Sequence, residues 1–78
     1  MARLSLIRIM QDKHGNDHSF TYAIEKHPKT RLVIQRNPDG YWFIYKLIGK
    51  NARMLTEQAF KTEKAATTEC MRLAEMMF

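Results

Sequence analysis

The sequence predicts an α+β domain, in which an antiparallel sheet of four to five strands packs against one C-terminal α-helix. Apolar residues alternate with a period of two in the first half of the chain, and clusters of Gly, Asn, Asp and Pro separate these runs. Near the C-terminus the apolar residues recur at helical spacing instead. With 78 residues, 45% apolar and 27% charged, the chain is expected to form a single small domain over residues 1–78.

The first two strands are predicted to form a hairpin. The run Leu4–Met10 is rich in Ile and Leu, and the polar stretch 11–17 after it supplies a turn longer than two residues. The next run, Ser19–Glu25, alternates strictly. Its apolar face carries Phe20, Tyr22 and Ile24. His27 precedes Pro28, and because proline cannot donate to a strand ladder, we expect His27 to end a strand.

A second hairpin is predicted around Asn37–Gly40. Pro38 suits the first central position of a type I turn, and Gly40 accepts the left-handed conformation that follows. We expect a register with Arg36 opposite Tyr41. One face would then carry Leu32, Ile34, Tyr41, Phe43 and Tyr45. The other would carry Arg31, Val33, Gln35, Trp42, Ile44 and Lys46.

The last elements are a short return strand and the helix. Gly49–Asn51 predicts a turn, after which 52–59 is expected to form a further strand. Thr62 is expected to cap a helix that runs from Glu63 to about Met77. The inner stripe of this helix is predicted to be Ala66, Cys70, Leu73, Ala74 and Met77.

The charge distribution favours an anionic partner. The chain has 13 Lys and Arg against 8 Asp and Glu, for a net charge of +5. Between Lys26 and Arg53 there are seven basic residues and one acidic residue, Asp39. Because cations that neutralise phosphates supply most nucleic-acid affinity, this stretch is a candidate nucleic-acid-binding surface. The competing interpretation is a solvated basic face without a ligand.

The candidate nucleic-acid-binding residues lie on the central hairpin and the turn after it. The cations are expected to contact phosphates, while Gln35 and Trp42 lie nearer the bases, as a hydrogen-bonding amide and a stacking ring. The full set is Lys29, Arg31, Gln35, Arg36, Trp42, Lys46, Lys50 and Arg53.

Catalytic and metal chemistry are not expected. Cys70 is alone, which excludes an internal disulfide and a zinc finger, and its place on the helix stripe favours a packed thiol. His14 and His18 lie four residues apart in a polar loop, where turn formation explains them better than metal binding. We therefore expect no enzyme activity, no cofactor and no metal. Arg8 interrupts the only long apolar run near the N-terminus, so neither a signal peptide nor a membrane span is expected, and the predicted location is cytoplasmic.

A set of short motifs resembles a known class of DNA-binding domains. They are Trp42, Gly49-Lys50, Leu55, Phe60-Lys61-Thr62-Glu63 and Ala65-Ala66. Over residues 31–74 this pattern resembles the AP2-like and integrase arm-binding domains. The resemblance implies a three-stranded sheet on a helix, with Arg31, Arg36, Trp42 and Lys46 as sheet contacts to the DNA major groove.

Two functions remain open from the sequence. The first is a small non-enzymatic DNA-binding or regulatory protein of phage or mobile-element type, which contacts DNA through its basic β-hairpin. The alternative is a phage-type inhibitor or adaptor that binds a host protein or nucleoprotein complex, in the manner of an anti-CRISPR protein. A homodimer formed through the first strand is compatible with either function.

Overall fold

The computed structural model describes residues 3–78 and confirms the α+β arrangement. Five strands pair antiparallel in chain order, so each strand neighbours the next and β1 and β5 form the edges. The helix follows the last strand and packs against β3 and β4. The elements are β1 (Leu4–Gln11), β2 (Asp17–Ile24), β3 (His27–Arg36), β4 (Trp42–Ile48), β5 (Asn51–Met54) and α1 (Glu63–Met77).

The loop between β1 and β2 is organised by one carboxylate. Asp12 Oδ1 accepts hydrogen bonds from the backbone N–H groups of His14 at 2.8 Å and Asn16 at 3.0 Å. These side-chain bonds supplement two backbone hydrogen bonds of the loop, from the Asp12 N–H to Asn16 O at 2.9 Å and from the Gly15 N–H to Asp12 O at 3.1 Å. The predicted first hairpin is therefore confirmed, with Asp12 as its organising residue.

The expectation for His27 was wrong, because this residue begins β3 instead of ending a strand. The turn after Ile24 is closed by Lys26, whose φ is 71°. The β2–β3 register then shifts, since Ile24 pairs with His27 while Ala23 pairs with Arg31. Pro28 falls within this irregularity, where a strand tolerates a residue without an N–H group.

The predicted turn at Asn37–Gly40 is confirmed, but the predicted register is wrong by one residue. Asn37 Oδ1 accepts from the backbone N–H of Asp39 at 3.1 Å and of Tyr41 at 3.0 Å. Gly40 has a φ of 91°, which side-chain-bearing residues rarely adopt. The Asn37 N–H also donates to the Tyr41 carbonyl at 2.8 Å, so these two residues pair and Arg36 lies opposite Trp42.

This slip moves the side chains of β4 to the opposite faces from those expected. Trp42, Ile44 and Lys46 share the helix-covered face with Arg36, Ile34 and Leu32. Phe43, Tyr45 and Leu47 share the other face with Gln35, Val33 and Arg31. The alternation within each strand was predicted correctly, but the predicted pairing of faces between the two strands was wrong.

The core lies between the sheet and α1. Leu32, Ile34 and Ile44 are fully buried on the sheet side. Ala66, Cys70 and Ala74 face them from the helix and Leu73 packs at the margin, as predicted. Met77 is 46% exposed and does not belong to the buried stripe, contrary to expectation. The Thr62 cap is confirmed, since its Oγ1 accepts from the Ala65 N–H at 3.1 Å.

The fifth strand is shorter than predicted. It covers Asn51–Met54, after which the chain continues along β4 without forming a regular strand. The Leu55 N–H donates to Ile44 O at 2.8 Å, and Phe60 exchanges two backbone hydrogen bonds with Trp42, at 2.7 and 2.9 Å. Phe60, which is 8% exposed, thereby closes one end of the core.

Candidate nucleic-acid interface

Five cations are brought together where β3 begins and β4 turns into β5. We call this cluster the basic end, and it consists of Lys29, Arg31, Lys46, Lys50 and Arg53. The Gly49 N–H donates to the Lys29 carbonyl at 3.4 Å, which links the start of β3 to the β4–β5 turn. Antiparallel pairing of Arg31 with Leu47 and of Lys46 with Arg53 brings the other members to the same end.

Lys46 and Arg53 are direct register partners on neighbouring strands. Like charges in this position destabilise a sheet by a few tenths to about 1 kcal/mol. Within residues 3–78, none of the five cations of the basic end forms a salt bridge. The acidic residue nearest to them along the central stretch, Asp39, lies in the turn at the opposite end of the β3–β4 hairpin. The basic end is therefore a concentration of positive charge in which no cation forms a salt bridge with a described residue.

Arg36 does not belong to this cluster. It lies at the far end of β3, where its Nη2 contacts Asp12 Oδ2 at 3.1 Å in a half-buried ion pair. Backbone hydrogen bonds, first that from Asn16, lower the pKa of Asp12, and the charge of Arg36 lowers it further. The charge of Arg36 is thus compensated within the fold, and the structure does not bring this candidate together with the basic end.

Trp42 and Gln35 also lie apart from the basic end. Trp42 is 7% exposed and packs on Phe20 with ring centroids 5.8 Å apart, so its ring is part of the core. In this conformation Trp42 offers no face on which a base can stack. Gln35 is exposed on the opposite face of the sheet, next to Phe43.

The face of the sheet turned away from α1 carries residues that the sequence analysis did not select. We call it the open face, and register partners place three rows of side chains across it. The rows are Met10, Ser19, Gln35 and Phe43; Arg8, Thr21, Val33, Tyr45 and Met54; and Ser5, Ala23, Arg31, Leu47 and Ala52.

Phe43 and Tyr45 were missed because the expected register placed them on the same face as Leu32 and Ile34, away from the candidate residues Arg31, Gln35 and Lys46. The sequence of β2 already indicated that one face of the sheet carries small side chains, since Ser19, Thr21 and Ala23 alternate with its apolar residues. A register one residue different would have placed the two rings on the same face as these small residues, across β3. Arg8 was missed because it was treated only as an interruption of an apolar run.

The remaining candidate groups show no reactive arrangement in the described residues. Burial raises the pKa of the Cys70 thiol to about 11, so the thiolate is scarce at neutral pH. Within residues 3–78 no three His, Cys, Asp or Glu side chains are grouped to hold a metal ion. His18 Nδ1 is buried without a hydrogen-bond partner from this part of the chain. The 15-residue helix α1 falls short of the length and apolarity of a membrane-spanning helix, and no other helix occurs in the described residues.

No family model, curated protein or solved structure matches this chain. The resemblance to AP2-like and integrase arm-binding domains therefore stays a prediction.

Proposed function

We propose that this chain is a small, non-enzymatic nucleic-acid-binding protein that contacts the phosphate backbone through the basic end. The observation that carries the proposal is the like-charged pair Lys46–Arg53 with three further cations around it and no salt bridge to any of the five in the described chain. Binding of an anionic ligand is most favourable where cations repel one another in the free protein. The phosphates remove the repulsion, and counterions are released from the nucleic acid.

The basic end suits a polyanion better than a single small anion. Arg31 projects on the open face, while Lys46 and Arg53 project on the helix-covered face, and Lys50 lies in the turn between β4 and β5. The charges therefore follow the rim of the sheet and do not converge on one point. A nucleic-acid backbone presents phosphates at regular spacing and can follow such a rim with several contacts at once.

Charge-reversal variants test this proposal. Arg31→Glu and Arg53→Glu are each expected to weaken binding to a labelled mixed-sequence oligonucleotide at low salt by roughly tenfold, in fluorescence anisotropy. Lys64→Glu is the matched control, because Lys64 is exposed on α1 and the substitution makes the same change in net charge. Equal affinity of the two rim variants, the control and the wild type would contradict the proposal.

A second candidate function is favoured by a different surface, the outer edge of β1. This strand has eight residues with one edge unpaired by the described chain. Leu6, Ile7, Ile9 and Met10 on it are each 46–49% exposed. Lys and Pro, which often protect edge strands from pairing, are absent from β1, and its protection is limited to Arg8 and to register shifts beside Leu6 and Met10. An inhibitor or adaptor could use this edge to extend the sheet of a protein partner.

The two candidate functions can be separated with one substitution on β1. Ile9→Lys should prevent strand addition, whether to a partner or to a second copy, while nucleic-acid affinity stays unchanged or rises slightly. Sedimentation velocity of the wild type and the variant measures self-association, and the oligonucleotide titration measures binding. Loss of oligonucleotide binding in Ile9→Lys, with the fold intact, would show that the outer edge of β1 is also needed for nucleic-acid binding and that the two functions do not use separate surfaces.

A further inference from the structure

The open face has the composition of a ligand surface, although no element of the described chain covers it. The buried cluster that includes α1 takes its sheet residues from the other face only. Phe43 and Tyr45 are half-buried on the open face, flanked by Val33, which is 6% exposed but lies outside that cluster. The two aromatic side chains are therefore partly packed against their neighbours on the sheet and partly accessible to solvent.

The spacing of the rings is regular. Phe43 and Tyr45 are two residues apart on one strand, which separates them by roughly 7 Å. Tyr41, the residue before β4, continues the alternation and is 42% exposed. Flat rings repeated along a strand form a track on which successive bases can stack, one base to a ring.

The charge of the open face complements that track. Its three rows contain two arginines, Arg8 and Arg31, and none of their residues is acidic. Arg31 belongs both to the third row and to the basic end, so the track runs continuously into the cationic rim. Gln35 lies next to Phe43 at the other end of the track, where its amide can pair with a base edge.

We propose that the open face selects single-stranded nucleic acid, with bases stacked on Tyr45 and Phe43 and phosphates held by Arg31, Arg8 and the basic end. This inference rests on the proposed function and names the form of nucleic acid that the surface takes. In a duplex the base faces are stacked on one another, and only base edges and phosphates are accessible. A row of half-exposed rings gains its stacking energy only from a strand whose bases are unpaired.

The competing explanation is that the rings serve the sheet alone, through cross-strand contacts such as that of Val33 with Tyr45. Substitutions that keep apolar volume distinguish the two roles. Phe43→Leu and Tyr45→Leu retain an apolar side chain but remove the ring, and Tyr45→Phe retains the ring. Trp42 is buried in the core, so its fluorescence emission checks that each variant is folded.

The experiment measures the affinity of four labelled ligands at low salt by fluorescence anisotropy. The ligands are an oligothymidine, an oligouridine, an abasic DNA strand of the same length, and a duplex of that length. The wild type should bind at least one of the two base-carrying strands about tenfold or more tightly than the abasic strand, whose charge is equal. Phe43→Leu and Tyr45→Leu should lose most of that difference, and Tyr45→Phe should keep it.

The results distinguish failure of the stacking role from failure of the proposed phosphate binding. If the wild type binds the base-carrying, abasic and duplex ligands equally and the leucine variants change nothing, the stacking role is overturned while phosphate binding stands. If none of the four ligands binds at low salt, the proposed function fails and the stacking role fails with it. Preference for the thymidine or the uridine strand assigns the ligand as DNA or RNA, and either preference over the abasic strand supports the inference.

Discussion

At the residue scale, the side chain of Asp12 both organises a loop and neutralises the charge of Arg36. Its carboxylate accepts from the N–H groups of His14 and Asn16 and from the guanidinium of Arg36. Arg36 was expected to bind phosphate from its place in the sequence alone. No feature of the sequence reveals that a carboxylate 24 positions earlier pairs with it, because that contact depends on how two hairpin loops meet.

The lowered pKa of Asp12 predicts a specific acid sensitivity. A carboxyl group with a folded-state pKa below its unfolded value stabilises the fold above the unfolded pKa, and this contribution is lost as the pH falls through the folded pKa. Asp12→Asn lacks that titration. Urea unfolding followed by Trp42 fluorescence should therefore show a larger loss of stability from pH 6 to pH 3 in the wild type than in the variant. Equal losses would show that ionisation of Asp12 does not contribute to the stability of the fold.

At the scale of elements, the sequence predicts what depends on local chemistry. The Thr62 cap, the turn at Asn37–Gly40 and the helix stripe follow from side chains acting on nearby backbone, and all three are confirmed. The register of β3 and β4 starts from a hydrogen bond that the sequence does not show, from the Asn37 N–H to Tyr41 O. Because strands have a period of two, the register that begins at this bond puts Trp42 in the core and Phe43 on the open face.

The candidate site also has one part that the local sequence predicts and one part that depends on strand register. The basic end follows from the density of Lys and Arg around the β4–β5 turn, which is visible in the sequence. The faces of the hairpin required the register and were predicted wrongly, so Trp42 was chosen where Phe43 and Tyr45 are accessible. A one-residue error in the predicted register leaves a charge cluster at the end of a sheet correctly predicted. The same error assigns the residues of a stacking surface to the wrong face.

The Lys46–Arg53 pair makes a prediction in which stability and binding move in opposite directions. Lys46→Glu replaces a like-charge pair with an opposite-charge pair, which should raise the free energy of unfolding by about 0.2–1 kcal/mol. The same substitution removes a phosphate contact and should weaken oligonucleotide binding. Chemical denaturation and anisotropy on the same sample measure both effects.

Arg53→Lys is the control for that experiment, because it keeps the like-charged pair and should leave both quantities nearly unchanged. A Lys46→Glu protein that is more stable and binds as well as the wild type would show that the basic end is only a solvated charge cluster. A variant that loses stability would show that repulsion between Lys46 and Arg53 is smaller than the packing that the Lys46 side chain contributes.

At the scale of the whole molecule, the candidate surfaces lie on different parts of the described chain. The basic end occupies one end of the sheet, the Asp12–Arg36 ion pair lies at the other, and the apolar edge of β1 lies on the side away from β5. The helix covers one face, and the open face joins the basic end through Arg31. Because the β1 edge and the basic end are separate, substitutions in these two surfaces should act on separate functions, whereas the open face and the basic end share Arg31 and should act together.

The salt dependence of oligonucleotide binding tests the central claim most directly. If the five cations of the basic end each neutralise a phosphate, the logarithm of the binding constant for a single strand should fall against the logarithm of salt concentration with a slope of roughly −3.5. Arg53→Glu should make the slope shallower by about 0.7. Binding whose affinity does not change with salt, or a slope identical in the wild type and Arg53→Glu, would contradict a phosphate-binding role for the basic end.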